Sequence, residues 1–406
     1  MILGGDWAPG YKQVELNLPS TVVLANLEGP ILSPEHSVIA VPKAGPSLFS
    51  CELPDAPGRF VFSLANNHIM DYGTQGLQST LSALDKRAFK ACGAGKDFLD
   101  ARSPIVLRDD GVQIGVIACC EAQFGVAQRS KAGVAEFGPW VYQAIRDLQK
   151  IVDAVIVSVH ASVEDSPWPS PFLRELCRSF IDAGASVVHG HHAHVPQGHE
   201  EYRDGVIFYG MGNFAVDSDT WRNYPNGLWS LAAEIDLRSK PVRWRPLTLE
   251  IRDQSTANSL VIEESAQEEM ERHQQYLEMC NRPLRDDPLF EALWQEVALR
   301  AFDHYGAGYM GFTSSSPYGR RAQVKKGLSA IKSALLNRSD DFRPNQHDYL
   351  LWYHMVACES HRQMLATALG ILGGEIDDLR SAETRRLADE MMPWSRKEAQ
   401  RESHSF

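Results

Sequence analysis

Residues Val187 to Val195 read Val-Val-His-Gly-His-His-Ala-His-Val, an apolar run that empties into four histidines within six residues. Imidazole is the commonest protein ligand for transition metals, and alternate residues of an extended segment project from the same face. His192 and His194 are therefore placed to face one ion together. The same arrangement, a donor just behind an apolar run, recurs upstream: Asp6 after Met1-Ile2-Leu3, Glu28 after Thr21-Val22-Val23-Leu24, Asn67-His68 after Phe60-Val61-Phe62, and His160 after Val155-Ile156-Val157. The spacing predicts one metal-binding constellation assembled from five strand ends.

Up to about residue 250, short β-rich runs alternate with helical patterns, the signature of a layered α/β domain. Strands are predicted at 1–5, 21–25, 60–65, 104–107, 113–120, 152–159, 185–189, 205–210, 229–236 and 242–251. Leu77, Leu81 and Leu84 form a helical stripe behind Thr74, and Phe172, Leu176 and Phe180 form another that Gly184 closes at a C′ position. Near 255 the texture changes: Glu263-Glu264, Glu268-Glu269 and Glu271 open a polar helical stretch. The reading is thus a domain over 1–254 and a helical C-terminal domain over 255–406, with helices at 260–278, 288–304, 319–337, 346–372 and 377–391. The glycine- and serine-rich stretch 306–319 reads as a loop.

A chain of 406 residues is long enough for two domains at about 100–200 residues each. A net charge of −12 argues against nucleic-acid binding, which needs basic surface against phosphates. Seven cysteines, at 51, 92, 119, 120, 177, 280 and 358, show no metal-ligand spacing and fit reduced, buried thiols of a cytoplasmic protein. No run of about 18 apolar residues occurs, so no membrane span is expected. A secretory leader is not expected either, since the candidate ligand Asp6 arrives after five residues.

As chemistry, Asp6, Glu28, Asn67, His160, His192 and His194 are a mixed oxygen and nitrogen donor set suited to one or two divalent ions such as Mn, Zn or Fe rather than to calcium. A carboxylate such as Glu28 can bridge two ions, and two metals roughly 3.5–4 Å apart activate a water on one side and stabilise leaving-group charge on the other. His68, adjacent to Asn67, is left free to donate a proton to the leaving group. Asp71 either caps the following helix or orients His68.

In order, the motifs Gly5-Asp6, Asn26-Leu27-Glu28-Gly29-Pro30, Ser63-Leu64-Ala65-Asn66-Asn67-His68 with Asp71-Tyr72-Gly73, Gly93-Ala94-Gly95, His160 with Glu164, Gly190-His191-His192-Ala193-His194-Val195 and Gly212-Asn213-Phe214 with Asp217 resemble the bacterial capsule-synthesis proteins associated with poly-γ-glutamate. Those are themselves similar to the calcineurin-like metallophosphoesterases. The resemblance covers about residues 1–250 and implies a four-layer α/β/β/α sandwich with a dinuclear site, working on a γ-linked glutamate polymer or a related acidic substrate. It assigns metal-binding positions to Asp6, Glu28, Asn67, His160, His192 and His194, and the proton-donating position to His68.

Three departures stand out. Phosphoesterases present Asp-x-His on the first strand where this chain has Asp6-Trp7-Ala8, so one ion loses a ligand. They carry Gly-His-x-His where Gly190 here is followed by two histidines, which leaves the first role open between His191 and His192. The family's His-Trp-Gly is replaced by His160-Ala161-Ser162, which changes the pocket wall beside Glu164. Three functions follow: a metal-dependent hydrolase cleaving a phosphoester or amide, a non-catalytic binding or assembly subunit in capsule polymer synthesis, or a tailoring enzyme in small-molecule biosynthesis.

Blander readings stand beside these. His189 alternates with its neighbours and is structural, His199 is surface, Asn67-His68 alone reads as a turn, and Glu28 alone as an exposed turn acid. Gly93-Ala94-Gly95-Lys96 lacks the full phosphate-loop pattern. Asn66, Lys96, Arg102 and Glu164 are the candidate substrate contacts, and Asn213 bonds either substrate or a ligand histidine. Arg320, Arg321, Lys325 and Lys326 read as a solvated helix face rather than a polyanion site. Trp352, His354 and His361 serve packing, or an interface in a homo-oligomer.

Overall fold

The structure is a computed structural model that describes residues 1–19, 21–32, 39–41, 43, 45–55, 59–217, 226–254, 257–306 and 346–392. The chain forms two compact units, Met1–Val41 with Gly45–Asp286 and Pro42–Ala44 with Asp287–Phe406.

In chain order the first unit contains β1 (Ile2–Ala8), β2 (Gln13–Asn17), β3 (Val23–Leu27), β4 (Phe60–Ser63), α1 (Gly73–Lys86), β5 (Lys90–Cys92), β6 (Ala94–Gly95), α2 (Phe98–Ala101), β7 (Ile105–Asp109), β8 (Val112–Cys120), β9 (Gly133–Val134), α3 (Pro139–Leu148), β10 (Ala154–His160), α4 (Pro171–Asp182), β11 (Val187–His191), β12 (His199–Tyr202), β13 (Gly205–Phe208), β14 (Asn213–Val216), β15 (Trp229–Asp236), β16 (Arg243–Gln254), β17 (Ser259–Glu264) and α5 (Gln267–Leu284). One sheet runs β2-β17-β16-β15-β1-β3-β4-β5, with β14 also on β1; the other runs β12-β13-β11-β10-β8-β7. β1 touches β11 across the two sheets, α1 packs beside β5, and α3 and α4 cover β8, β11 and β13. This is the four-layer α/β/β/α sandwich.

The apolar runs explain the central strands. β1, β3, β4, β10 and β11 are buried along their whole length, as strands covered on both faces must be. Edge strand β2 instead alternates exposed Gln13, Glu15 and Asn17 with Val14 and Leu16. α4 starts where Ser170 accepts the amide of Leu173 and Pro171 takes the first turn. It ends at Gly184, whose φ of +111° fits its predicted C′ role.

Residues 260–278 do not form one helix. Leu260, Val261 and Ile262 pair with β16 on one side and β2 on the other, and the helix begins only at Gln267. The first unit therefore runs past 254 to Asp286, because β17 joins its sheet and α5 packs beside β12, with Tyr276 Oη donating to Pro196 O at 2.9 Å. Short strands β2, β5, β12 and β14 were not expected, and helix α3 was overlooked although Val141, Ile145 and Leu148 form a buried stripe at helical spacing.

The second unit contains α6 (Asp287–Ala301), which passes into a π-turn over Phe302–Gly306, then α7 (Gln346–Ala357), α8 (Glu359–Gly373) and α9 (Ala382–Met391). α8 and α9 pack on α6, with Trp294 Nε1 donating to Thr367 Oγ1 at 3.0 Å. The helix expected over 346–372 breaks at fully buried Cys358, whose ψ of 124° is extended. α9 starts later than expected because Ser381 and Thr384 form a capping box. The loop predicted over 306–319 beyond Gly306, the helix at 319–337 and the basic residues Arg320, Arg321, Lys325 and Lys326 lie outside the described residues. Among the described residues no helix is long and apolar enough to cross a membrane.

Two glycines bring the site's strands close. A Cβ on Gly5 would stand 1.9 Å from Gly212 O, and one on Gly190 2.1 Å from Tyr209 O. Both obstacles are backbone and cannot swing away. Gly190→Ala is expected to lower Tm by roughly 5 °C, on an overpacking cost of about 1–3 kcal/mol, and a thermal melt within 1 °C of wild type would contradict this.

Candidate metal centre

Parallel pairing brings the strand ends level. Asp6 pairs with Asn26 on β3 and with Asn213 on β14, while His160 pairs with His191 on β11 and with Cys120 on β8. Donors at or just past these ends therefore converge: Asp6, Glu28, Asn67, His160, His191, His192 and His194 are all buried.

Glu28 lies at the centre. It offers a ligand atom to a group with Asp6 and His194 and to another with His160 and His192, each group lying within 4.8 Å. Its Oε1 is 3.4 Å from His160 Nε2 and 3.7 Å from His194 Nε2. Asn67 Oδ1 is 2.9 Å from His160 Nε2, which puts the asparagine on the His160 side. Glu164, exposed where the others are buried, forms a third group with His192 and His194 and so marks the solvent edge.

His191 and His192 take different places. His192 is grouped with Glu28 and His160, whereas His191 Nδ1 stands 3.1 Å from Asp6 Oδ1 and its Nε2 3.3 Å from His189 Nδ1. His189 in turn meets Gly4 O at 2.7 Å, so it anchors His191 through the strand core. Ala8, where phosphoesterases carry a histidine, packs against Leu48 and Val216. The backbone that presents His192 and His194 has φ of 92° and 56°, a left-handed region that non-glycine residues enter at a cost of about 1–3 kcal/mol.

A hydrogen-bonded frame orients these groups. Asn26 Nδ2 donates to Asp6 Oδ1 at 2.9 Å and lies 3.3 Å from His160 Nδ1. Asn66 Nδ2 donates to Asn26 Oδ1 and to Leu27 O, while its Oδ1 accepts the amides of His68 and Ile69. Its side chain thus shapes the loop, which explains its burial better than a substrate contact does. Asn213 Oδ1 is 3.0 Å from His194 Nδ1, the histidine contact foreseen for it, and this leaves Nε2 toward Glu28.

His68 Nδ1 lies 2.7 Å from Asp71 Oδ2, which also accepts the amide of Leu48 at 2.8 Å. Asp71 therefore orients His68; the cap position of α1 falls to Tyr72, which makes no side-chain cap. Lys96 is exposed beside α2. Arg102 lies 3.8 Å from Glu136 and over the rings of Phe98 and Trp140, and none of its contacts among the described residues is with the donor cluster.

Sequence reasoning missed Glu121 and Gln123. Glu121 Oε1 is 3.7 Å from His192 Nε2, and Gln123 Nε2 donates to Glu121 Oε1 at 3.1 Å. The signal was there: Glu121 directly follows β8, placed as the other donors are.

Burial raises Asp6, but its contact with His191 and the nearby His194 and His160 rings outweigh this and hold the carboxyl well below its usual range. Burial pushes His160 well down, reinforced by His192 and opposed by Asp6, and it lowers His194 against Asp6 and Glu164. Those imidazoles are neutral and the carboxylate ionised at neutral pH, the states that ligate metal. Asp6 Oδ2, buried and 3.5 Å from His194 Nδ1, accepts no hydrogen bond among the described residues. A borderline divalent cation fits this donor set.

The chain is 31% identical over 180 residues to the capsule biosynthesis protein CapA of Bacillus anthracis, covering 42% of this chain and 43% of that protein. It is 34% identical over 172 residues to the PGA biosynthesis protein CapA of Bacillus subtilis strain 168, covering 41% and 45%. The match thus spans less than half the length of these relatives. Among solved structures, a novel phosphatase from Mycoplasma pneumoniae aligns at 14% identity and a TM-score of 0.35, covering 63% of this chain and 94% of that one. The family model described as bacterial capsule synthesis protein PGA_cap matches residues 6–218, more than half of the chain and inclusive of every donor above, so the chain belongs to that family.

Proposed function

We propose that this chain is a metal-dependent hydrolase of the capsule-synthesis family, acting on a phosphoester or γ-glutamyl amide bond of an acidic substrate, small or polymeric. The reading is carried by Glu28, a buried carboxylate shared between two donor groups. Asp6, Glu28 and His194 would hold one ion, and Glu28, Asn67, His160 and His192 a second. When bound, such ions supply Lewis-acid polarisation and a more acidic water.

The chain's own residues do the rest. His191 and Asn26 fix the Asp6 carboxylate, and Asn213 fixes the tautomer of His194. His68, held by Asp71, delivers a proton to the leaving group. Glu164 meets the substrate at the open edge, and burial of the remaining donors keeps bulk water out.

Metal analysis of purified protein, with turnover measured on p-nitrophenyl phosphate and on γ-glutamyl peptides, tests this. Stoichiometric metal with turnover that His192→Ala abolishes is the expected result. Stoichiometric metal with no turnover on either substrate class would replace the hydrolase reading with that of a binding subunit in polymer assembly.

A further inference from the structure

A second donor cluster lies in the same unit on different elements. Glu250 on β16 and Glu269 and His273 on α5 each offer a ligand atom within 4.8 Å of the others. His273 is only 1% exposed, and among the described residues its Nε2 has no hydrogen-bond partner. That nitrogen stands 3.5 Å from Glu250 Oε1.

The neighbours define the tautomer. Ser265 Oγ donates to Glu250 Oε1 at 3.2 Å, so toward His273 Nδ1, 3.4 Å away, it is an acceptor. Nδ1 then carries the proton, and Nε2 turns a bare lone pair toward carboxylate oxygens. Lone pair against anion is repulsive, and a cation between them removes the repulsion. The plane of the ring is fixed, because it stacks on Trp229 at 3.9 Å with planes 10° apart, and Tyr276 packs edge-on to the same indole at 5.4 Å. Burial also pushes His273 down to about 4, which keeps it a neutral base at neutral pH. Arg272 pairs with Glu269 but is exposed, so its guanidinium is free to yield to an ion.

We propose that Glu250, Glu269 and His273 form a divalent-cation site that pins α5 to β16. Two carboxylates and one imidazole select a borderline ion such as Zn or Mn over calcium, which takes an all-oxygen shell. With three protein ligands, water completes the coordination.

The site is tested in a His192→Ala, His194→Ala background, so that the outcome is independent of the strand-end centre. After chelator treatment and dialysis against zinc, that protein should retain one equivalent and melt at a higher temperature with zinc than without. His273→Gln, and separately Glu269→Gln at a partly exposed position, should each lose that equivalent and the thermal shift. Co(II) should quench indole fluorescence in the background protein and not after Trp229→Phe. No zinc retained by the background, or equal retention in the Glu269→Gln and His273→Gln proteins, would overturn the proposal.

Discussion

Glu28→Gln is expected to empty both positions of the strand-end centre at once and to reduce turnover by about 10³-fold or more, on the order of 4 kcal/mol of transition-state stabilisation. The substitution keeps shape and removes one charge from a carboxylate that is fully buried and faces His160 and His194 from a single oxygen. Asp6 and His160 each belong to one of these two positions only, so the loss of either should leave one ion in place. Asn213→Ala, which frees the His194 ring without removing a donor, is expected to cost only about 10–100-fold in metal affinity. Metal content by mass spectrometry separates these cases. Metal-free Glu28→Gln should melt at or above metal-free wild type, because Glu28 and Asp6 are two buried carboxylates in one cluster and removing one charge relieves their repulsion. A clear loss of stability in the metal-free protein, with metal content intact, would instead make Glu28 a structural residue.

How far the sequence reached depends on how each residue is held. Asp6, Glu28, Asn67, His160 and the 191–194 histidines were visible because each stands at the end of an apolar run, and parallel pairing brings such ends level. Asn26 and His189 lie inside their runs, so their contacts with His160 and His191 depend on register that one sequence does not display. Glu121 had the right position, but no histidine beside it drew attention. Arg102 reads as an anion contact from its charge alone, whereas in the fold it lies over Phe98 and Trp140. The stretch after 255 reads as helix because glutamates dominate it, while Leu260, Val261 and Ile262 are too few to show a strand until β16 and β2 flank them. Cys358 interrupts a helical pattern with no proline or glycine to announce it, so the extended backbone there is not displayed by the sequence.

His68→Gln is expected to lower kcat by about 10²–10⁴-fold, the usual scale for a general acid, while leaving metal content unchanged. The ring is held by Asp71 at 2.7 Å, its backbone amide is fixed by Asn66, and it acts electrostatically on His194 while belonging to none of the donor groups found among the described residues. Asp71→Asn should cost less, since the ring remains but its orientation loses its carboxylate partner. Two further measurements separate proton donation from mere packing. The loss should be large for substrates with an alkoxide or amine leaving group and small for p-nitrophenyl phosphate, whose leaving group departs without a proton. The alkaline limb of the wild-type pH–rate profile, where a protonated acid is lost, should flatten in His68→Gln. An equal loss across leaving groups, with the pH profile unchanged, would remove His68 from the chemistry and leave the His68 and Asp71 pair as a brace for the loop between β4 and α1.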